Sequence, residues 1–191
     1  MAKLTIFQQV REFNDWRASA FALTLLERMY PNYHLFCELT EFYDPALMRN
    51  TLNTLWEWVG TPRTKINYES QRLKLDEGTP DISQFDNYGV YPALDFAVSL
   101  DSVLNLISGE DAQGAVVVSK VSQGCVEAYI EASEGEQEDI KQHPLMAWEI
   151  EFQSELISFL QGNIKRDKEL VKQLKNMATA EGISNIGLEI A

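Results

Sequence analysis

The apolar stretch from Tyr91 to Ser108 constrains the fold of this chain more than any other feature of the sequence. Pro92 stands near its start and Gly109 directly follows it, as is typical of the two ends of a helix. When the stretch is drawn as a helix, two of its faces are apolar, and only a few polar residues such as Asp95 interrupt them. A helix that is apolar on most sides is normally buried on most sides. The stretch therefore predicts the central helix of an α-helical domain.

Helix start and stop signals recur along the rest of the chain, with short gaps between them. Asp44 followed by Pro45 is a strong start signal, because an acceptor side chain caps the helix and proline suits its first position. The Gly-Thr-Pro run at 60–62 is a stop signal. Further candidate caps are Asn14 or Asp15, Asn67 and Asp111. The pattern predicts an all-α fold, a compact multi-helix bundle of about seven to eight helices around a central apolar helix, formed by residues 1–191 as a single helical domain.

Proline and glycine also indicate where helices are interrupted. Pro31 predicts the end of one helix and the start of the next, because proline cannot donate a helical hydrogen bond. Pro144 opens a C-terminal helix, and the apolar spacing of that helix falters after Gly162, which predicts a bend or break there. We expect this C-terminal helix to lie against the helix of Tyr91 to Ser108.

The helix that Asp111 opens has apolar or small residues at helical spacing, and these define its expected inner face. They are Val117, Val121, Cys125, Ala128 and Ala132. Three consecutive valines at 116–118 leave open the alternative that this segment begins as a β-strand. The sequence has no second strand-like run to pair with such a strand.

Acidic residues dominate the charge of the chain: 29 Asp and Glu against 16 Lys and Arg give a net charge of −13. Such a surface repels phosphate backbones, which argues against nucleic acid as a partner. The acid is concentrated between Glu127 and Glu155, where Lys141 is the single cation, and residues 165–175 form a basic run. We expect these blocks to be solvated helix faces or surfaces for a protein partner.

No segment has the sequence features of a membrane span or a signal peptide. The apolar residues near the N-terminus, such as Leu4 and Phe7, are spaced rather than continuous. The longest apolar stretches carry polar residues at short intervals and fall short of the ~20 residues of a spanning helix. Cys37 and Cys125 are far apart in the sequence, and we expect two reduced thiols on helix core faces. These features predict a cytoplasmic protein with no membrane partner.

The residue combinations that carry common chemistries are missing. His34 lies one helical turn before Cys37, but a Cys-His pair at this spacing has no third group to orient it. The other histidine, His143, precedes a proline in the acidic region. The Glu-x-x-His repeats of di-metal bundles, the phosphate-binding loop and the dinucleotide fingerprint are all absent. We therefore predict no catalytic residue, no metal site and no cofactor, although oxygen-only metal binding by pairs such as Glu151 and Glu155 stays an open alternative.

Two tyrosine-proline segments, 27–33 and 86–95, are the most suggestive places for a ligand. Each joins or begins a helix, where free backbone N–H groups and the positive end of the helix dipole favour polar ligands. The candidate ligand-binding residues are Arg28, Tyr30, Tyr88, Tyr91 and Asp95. The alternative is structural: the tyrosine rings fill gaps at helix corners and their hydroxyls satisfy backbone groups.

Five segments, in order along the chain, resemble a known bacterial family. They are 27–33 (ERMYPNY), 67–71 (NYESQ), 88–95 (YGVYPALD), 119–120 (SK) and 184–187 (SNIG). Through them the chain resembles the YjaG-like family of bacterial proteins, a domain of unknown function, over nearly its whole length. The resemblance implies a compact all-helical fold in a bacterial cytoplasm. It implies no activity, substrate or cofactor, so no catalytic residue is transferred from it.

Two functional hypotheses follow from these patterns. We favour a non-catalytic cytoplasmic interaction or regulatory module, because the catalytic sets are missing and the acid is concentrated in one part of the chain. The candidate contact residues are Glu134, Glu136, Glu138 and Asp139. The alternative is a small-ligand-binding protein or unrecognised enzyme with a pocket at the tyrosine-proline corners. A homo-oligomer formed through the helix face of residues 148–161 is a further expectation.

Overall fold

The computed structural model of the protein describes residues 2–163 and 165–190, and these form eight α-helices and two short 3-10 helices. The prediction of an all-α multi-helix bundle is confirmed. The α-helices are α1 (Ile6–Glu12), α2 (Trp16–Thr40), α3 (Pro45–Gly60), α4 (Tyr68–Glu77), α5 (Val90–Ser108), α6 (Gly114–Glu134), α7 (Pro144–Gln161) and α8 (Lys168–Thr179). The 3-10 helices are Ile82–Gln84 and Ile140–Gln142.

Side-chain caps fix where most of these helices begin. The carboxylate of Asp44 accepts a hydrogen bond from the Ala46 N–H at 2.9 Å, with Pro45 in the first turn. Asn67 accepts from the Ser70 N–H at 3.1 Å, and Asp15 caps α2 in the same way. A capping acceptor satisfies N–H groups that have no partner inside the helix. The predicted starts at these positions are therefore confirmed.

Pro31 does not separate two helices, and the prediction of a break there is wrong. Helix α2 runs unbroken from Trp16 to Thr40 with Pro31 in its interior. Proline costs a helix one hydrogen bond and clashes with the preceding turn. Apolar side chains on both sides of Pro31, including Met29 and Tyr33, are fully buried in the main core. Their burial offsets the local cost, so tertiary packing keeps α2 continuous through the proline.

Helix α2, and not α5 as predicted, lies at the centre of the bundle, because it is the longer and more buried helix and packs against α3, α5, α6, α7 and α8. Helix α5 is its principal neighbour and packs mainly against α2, α6 and α4. The C-terminal helices pack mainly against α2, α3 and α6. The expectation that they lie against α5 is therefore wrong. The apolar faces of α5 are covered mainly by α2 and α6, with α4 packed beside them, and α7 and α8 pack on other helices.

The buried face of α6 differs from the predicted one. Cys125 is buried as expected, but Ala128 and Ala132 are exposed, and Ser119 and Ser122 are fully buried in their place. A rule that places apolar residues inside cannot anticipate buried hydroxyls, because these need partners from another helix. Residues 116–118 belong to the helix, so the strand alternative is also wrong.

The predicted interruption after Gly162 is confirmed. Helix α7 ends at Gln161, and α8 begins after Asp167, whose carboxylate accepts from the Leu170 N–H at 2.9 Å. Among the described residues, α5 is the one helix long and apolar enough to cross a membrane by length and composition. Half of that stretch is buried inside the fold. In this bundle α5 is a core helix.

Candidate functional site

A surface cleft of about 400 Å³ lies between the start of α5 and the middle of α6. Pockets of this size accommodate small molecules. The cleft brings together three of the five predicted ligand-binding residues. Its lining residues are Tyr88, Tyr91, Asp95, Val121, Gly124, Cys125 and Ala128.

The local sequence explains why the cleft forms where it does. Tyr88 precedes α5, while Tyr91 and Asp95 are four residues apart within it and so lie on one face of the helix. Gly114 lets α6 approach α5 closely, because a Cβ there would lie 2.4 Å from the Ser102 carbonyl oxygen. Gly124 leaves the cleft open, since a Cβ at that position would meet no atom within 4 Å. The two glycines thus set the helix spacing and the free volume.

Arg28 and Tyr30, the other two predicted residues, do not line this cleft. The Tyr30 hydroxyl donates to the Pro45 carbonyl at 3.1 Å, and the residue lines a separate groove with Leu188 and Glu189 of the C-terminal tail. The Arg28 side chain is sealed in the core. The two tyrosine-proline corners therefore do not share one cavity. A ligand-binding role for the five residues stays a prediction.

The tyrosine hydroxyls divide into two groups. Four of the seven tyrosines donate a hydrogen bond to an acceptor within the protein, as Tyr33 does to the Gly78 carbonyl at 2.7 Å. The other three are Tyr88, Tyr91 and Tyr129. Their rings form a cluster, with centroids of Tyr88 and Tyr91 5.6 Å apart and of Tyr88 and Tyr129 6.2 Å apart. Within residues 2–163 and 165–190, the hydroxyls of this cluster have no hydrogen-bond partner, so they are available to a ligand.

Asp95 supplies the charge of the cleft. No described Lys, Arg or His places a nitrogen within 4 Å of its carboxylate, although other partly buried carboxylates, such as Glu27, have one. Burial raises the pKa of Asp95 to about 6, and the nearby Cys125 thiol lowers it in part. The carboxyl group is therefore mostly ionised at neutral pH, yet poorly compensated by the protein.

The thiol of Cys125 is unsuited to nucleophilic chemistry. Burial raises its pKa well above the ordinary value, and the negative charge of Asp95 raises it further. The thiolate is the reactive form of cysteine, so a raised pKa leaves little of it at neutral pH. Cys37, the partner proposed for His34, is also buried, and burial raises its pKa to about 11. Neither cysteine has the electrostatics of a catalytic nucleophile.

A network of buried polar side chains lies behind the cleft, between α2, α6 and α7. Arg28 and Glu149 form an ion pair whose side chains are 1% and 0% exposed. Glu149 also accepts from the Ser122 hydroxyl at 2.5 Å and from the Gln153 amide at 2.9 Å. The ion pair and these hydrogen bonds compensate Arg28 and Glu149 for their lost hydration, because a buried charge without a partner is strongly destabilising. The sequence carried a signal for the network in the i, i+4 pair Glu149 and Gln153, which projects from one face of α7.

Aromatic rings complete the surroundings of Arg28. Its guanidinium carbon lies 4.0 Å from the ring centroid of Phe152 and 4.4 Å from that of Trp148. Two guanidinium nitrogens have no hydrogen-bond partner. Aromatic faces attract a cation electrostatically and replace part of its lost hydration. Arg28 is thus a structural residue at the junction of α2 and α7.

Asn185 connects the C-terminal tail to both the network and the cleft. Its backbone N–H donates to the Arg28 carbonyl at 3.1 Å, and its side-chain oxygen accepts from Asn32 at 2.8 Å. Its amide nitrogen lies 3.5 Å from the Ser122 hydroxyl and within reach of the Cys125 thiol. Cys125 therefore stands between the ligand cleft and the polar core.

Metal chemistry finds no support at the cleft. Across the part of the chain that the structure describes, no group of three or more His, Cys, Asp or Glu side chains is placed to hold a metal ion. The cleft itself contributes one carboxylate and one protonated thiol, and hard cations such as Ca²⁺ take six or more oxygen ligands.

Fold and site together define an all-α protein with an aromatic, acidic cleft in front of a buried polar network. The chain belongs to the family described as "Protein of unknown function (DUF416)", which matches residues 5–189. It is 36% identical over 193 residues to the uncharacterized protein YjaG of Escherichia coli (strain K12), with 98% of each chain covered. It is 35% identical over 189 residues to an uncharacterized protein of Haemophilus influenzae, with 96% of each covered.

The same family has a solved structure with this fold. The crystal structure of a DUF416 family protein from Shewanella baltica OS155 is similar with a TM-score of 0.90 at 35% sequence identity, covering 98% of this chain and 100% of that one. The resemblance to YjaG-like proteins is therefore confirmed. The function of the family is unknown, so any function has to be argued from the site.

Proposed function

We propose that this protein is a non-catalytic, cytoplasmic small-ligand-binding protein, and that the cleft of Tyr88, Tyr91 and Asp95 is its binding site. The observation that carries the proposal is the contrast among the tyrosines. Elsewhere in the described chain the tyrosine hydroxyls bond to the protein, whereas those around the cleft have no internal partner. Sites that bind small molecules combine an apolar wall with a few convergent polar groups.

A non-catalytic role fits the chemistry of the same cleft. Its thiol is held protonated by burial and by Asp95, and neither His34 nor His143 lines it. A general base and an activated nucleophile must lie within hydrogen-bonding reach of each other for covalent catalysis. Two buried, unbridged cysteines, Cys37 and Cys125, also suit a reducing compartment and support placement in the cytoplasm.

A variant that fills the cleft tests the proposal. Gly124 lies in the interior of α6, where an added side chain meets open space, so Gly124→Leu blocks the cleft without disturbing the core. Ala132→Leu is the matched control, because Ala132 is exposed on the same helix and does not line the cleft. We expect metabolites that raise the melting temperature of the wild type to lose this effect with Gly124→Leu and to keep it with Ala132→Leu.

The screen should be confirmed by ligand-observed NMR with the same three proteins. Ligands that protect the wild type and Gly124→Leu equally bind elsewhere, and such a result contradicts the assignment of the cleft. A screen of broad chemical diversity that yields no ligand for the wild type contradicts the proposed function itself.

An acidic, aromatic groove on α7 favours a second function, the docking of a basic segment from a partner protein. The groove has a volume of about 340 Å³. Its residues are Trp148, Glu151, Phe152, Glu155, Met177, Ala180 and Glu181. Three carboxylates around half-buried rings complement a segment rich in Lys or Arg, by charge and by cation–π contact. A homo-oligomer through α7 is less well supported, because none of its large apolar side chains is exposed.

Anisotropy of a fluorescent Lys/Arg-rich peptide measures this docking. The triple variant Glu151→Gln, Glu155→Gln, Glu181→Gln should bind the peptide more weakly and with less dependence on salt. The control triple variant Glu12→Gln, Glu127→Gln, Glu131→Gln removes the same charge from exposed positions away from the groove. Equal weakening by both variants indicates general electrostatic attraction and contradicts docking in the groove.

A further inference from the structure

We propose that the ligand of the tyrosine cleft is an organic ammonium ion, a small molecule with a protonated amine. This inference rests on the proposed function and names the chemical class that the cleft takes. Asp95 provides the counter-charge, and the rings and hydroxyls of Tyr88 and Tyr91 line the cleft beside it, with the ring of Tyr129 packed against Tyr88.

The charge of Asp95 is not compensated by a described cation of the protein. The two carboxylates that are buried among the described residues each have a cation: Glu149 has Arg28, and Glu27 has Arg49 at 2.5 Å and also accepts from the Trp56 N–H at 2.6 Å. No described cation plays this role for Asp95. A carboxylate withdrawn from water is costly until it is paired. A cationic ligand supplies the missing partner, and the net charge of −13 attracts such ligands to the surface.

The tyrosine rings beside Asp95 offer an aromatic surface to a cation. This protein places its own cations over aromatic rings repeatedly, for example Arg49 over Tyr30 at 5.0 Å and Arg166 over Trp58 at 4.3 Å. Among the described residues, no cation of the protein lies over the ring of Tyr88, Tyr91 or Tyr129. Aromatic rings grouped around a carboxylate are the usual means of recognising ammonium ligands. The phenol oxygens add acceptors for the N–H groups of the ligand.

Other ligand classes fit the cleft less well. An anion is repelled by Asp95 and by the net charge of −13 of the chain. A bare metal ion requires several oxygen or nitrogen ligands, and the cleft offers one carboxylate. A neutral molecule leaves the carboxylate without a counter-charge. The ammonium ion is the class that satisfies the carboxylate, the rings and the hydroxyls together.

Three probes of one shape and different charge test the assignment: benzylammonium, benzyl alcohol and benzoate. Saturation-transfer and chemical-shift NMR titrations of the full chain at pH 7.5 measure their affinities. We expect benzylammonium to bind at least about tenfold more tightly than benzyl alcohol, which corresponds to one ion pair and its ring contacts. Benzoate should bind most weakly of the three.

Variants locate the effect at the cleft. Asp95→Asn should weaken benzylammonium binding by about tenfold and leave benzyl alcohol binding almost unchanged. Asp101→Asn is the matched control, since Asp101 lies on the same helix but faces a different groove. Tyr91→Leu removes a ring that is half exposed, so it should weaken benzylammonium binding without unfolding the protein. Tyr91→Phe keeps the ring and should retain most of the affinity.

The outcomes distinguish the ammonium class of the ligand from the cleft as a binding site. Benzyl alcohol or benzoate binding as tightly as benzylammonium overturns the ammonium class, while sensitivity of that binding to Gly124→Leu keeps the cleft as a ligand site. Benzylammonium binding that is unaffected by Asp95→Asn, or equally affected by Asp101→Asn, also overturns the assignment. Absence of binding by all three probes at millimolar concentration counts against the cleft as a binding site as well.

Discussion

Replacing Asp95 by asparagine should stabilise the protein at neutral pH while it weakens ligand binding. The side chains have nearly the same shape, so the change removes a charge with little effect on packing. Burial raises the pKa of Asp95 from 3.8 to about 6, so the folded protein binds this proton more tightly than the unfolded chain. The folded state therefore loses stability as pH rises from about 4 to 6, and the full cost is present above that window.

The size of the effect follows from the same values. The difference between 3.8 and about 6 is about 2 pH units, which at 1.36 kcal/mol per unit is an upper limit of about 3 kcal/mol. Asp95 is partly exposed, so water screens its charge and we expect about 1–2 kcal/mol for Asp95→Asn. For a domain of this length that gain raises the melting temperature by about 2–8 °C.

Urea unfolding followed by circular dichroism at pH 7.5 and pH 4.0 measures the difference. The stabilisation by Asp95→Asn should be present at pH 7.5 and should shrink several-fold at pH 4.0, where the wild-type carboxyl group is protonated in the folded state. Asp101→Asn, on the same helix but half exposed, should show no comparable gain. A destabilised Asp95→Asn at pH 7.5, or a gain independent of pH, would refute the reasoning. Gained stability with lost affinity is typical of residues kept for binding.

Other predictions concern the framework around the cleft. Arg28→Met should lower the free energy of unfolding in urea by about 3–5 kcal/mol, because it leaves Glu149 buried without its partner, and adding Glu149→Leu should recover part of the loss. Gly114→Ala should lower the free energy of unfolding by about 1–3 kcal/mol, because its Cβ clashes with the Ser102 carbonyl of α5. Gly124→Ala should raise the free energy of unfolding by about 0.5–1 kcal/mol, because its Cβ meets open space. Equal effects of the two substitutions would contradict the helix packing described. Pro31→Ala should raise the melting temperature, because alanine restores a helical hydrogen bond worth about 0.5–1.5 kcal/mol and removes the ring clash, and unchanged stability would mean that this bond does not form.

The parts of the fold that sequence analysis predicted correctly are set by local interactions. Helix starts at Pro45 and Tyr68 depend on a cap two or three residues away, and such contacts are visible in the sequence. The break after Gly162 is equally local. Pro31 and the face of α6 were predicted wrongly because contacts with distant helices decide them. Local preference is a weak guide where burial of a long helix outweighs it.

The candidate site likewise combines residues that are close in the sequence with residues that only tertiary packing brings together. Tyr88, Tyr91 and Asp95 lie within two helical turns, so their convergence follows from the sequence alone. Gly124 and Cys125 enter the cleft from α6, and only the packing of α6 on α5 brings them there. The spacing of residues along the chain does not show which residues of α6 lie opposite those of α5.

The bonds of Asn185 bear on when the protein can complete its fold during synthesis. Arg28 is made early, but its carboxylate partner is 121 residues later in the chain, and the amide that meets Asn32 is 153 residues later. The buried Arg28 in α2 has no intramolecular counter-charge until Glu149 has left the ribosome. Contacts so distant in sequence slow folding, because large loops must close before they form. The nascent chain therefore carries α2 incompletely paired until α7 and the segment around Asn185 have been made, and that segment completes the polar contacts of α2.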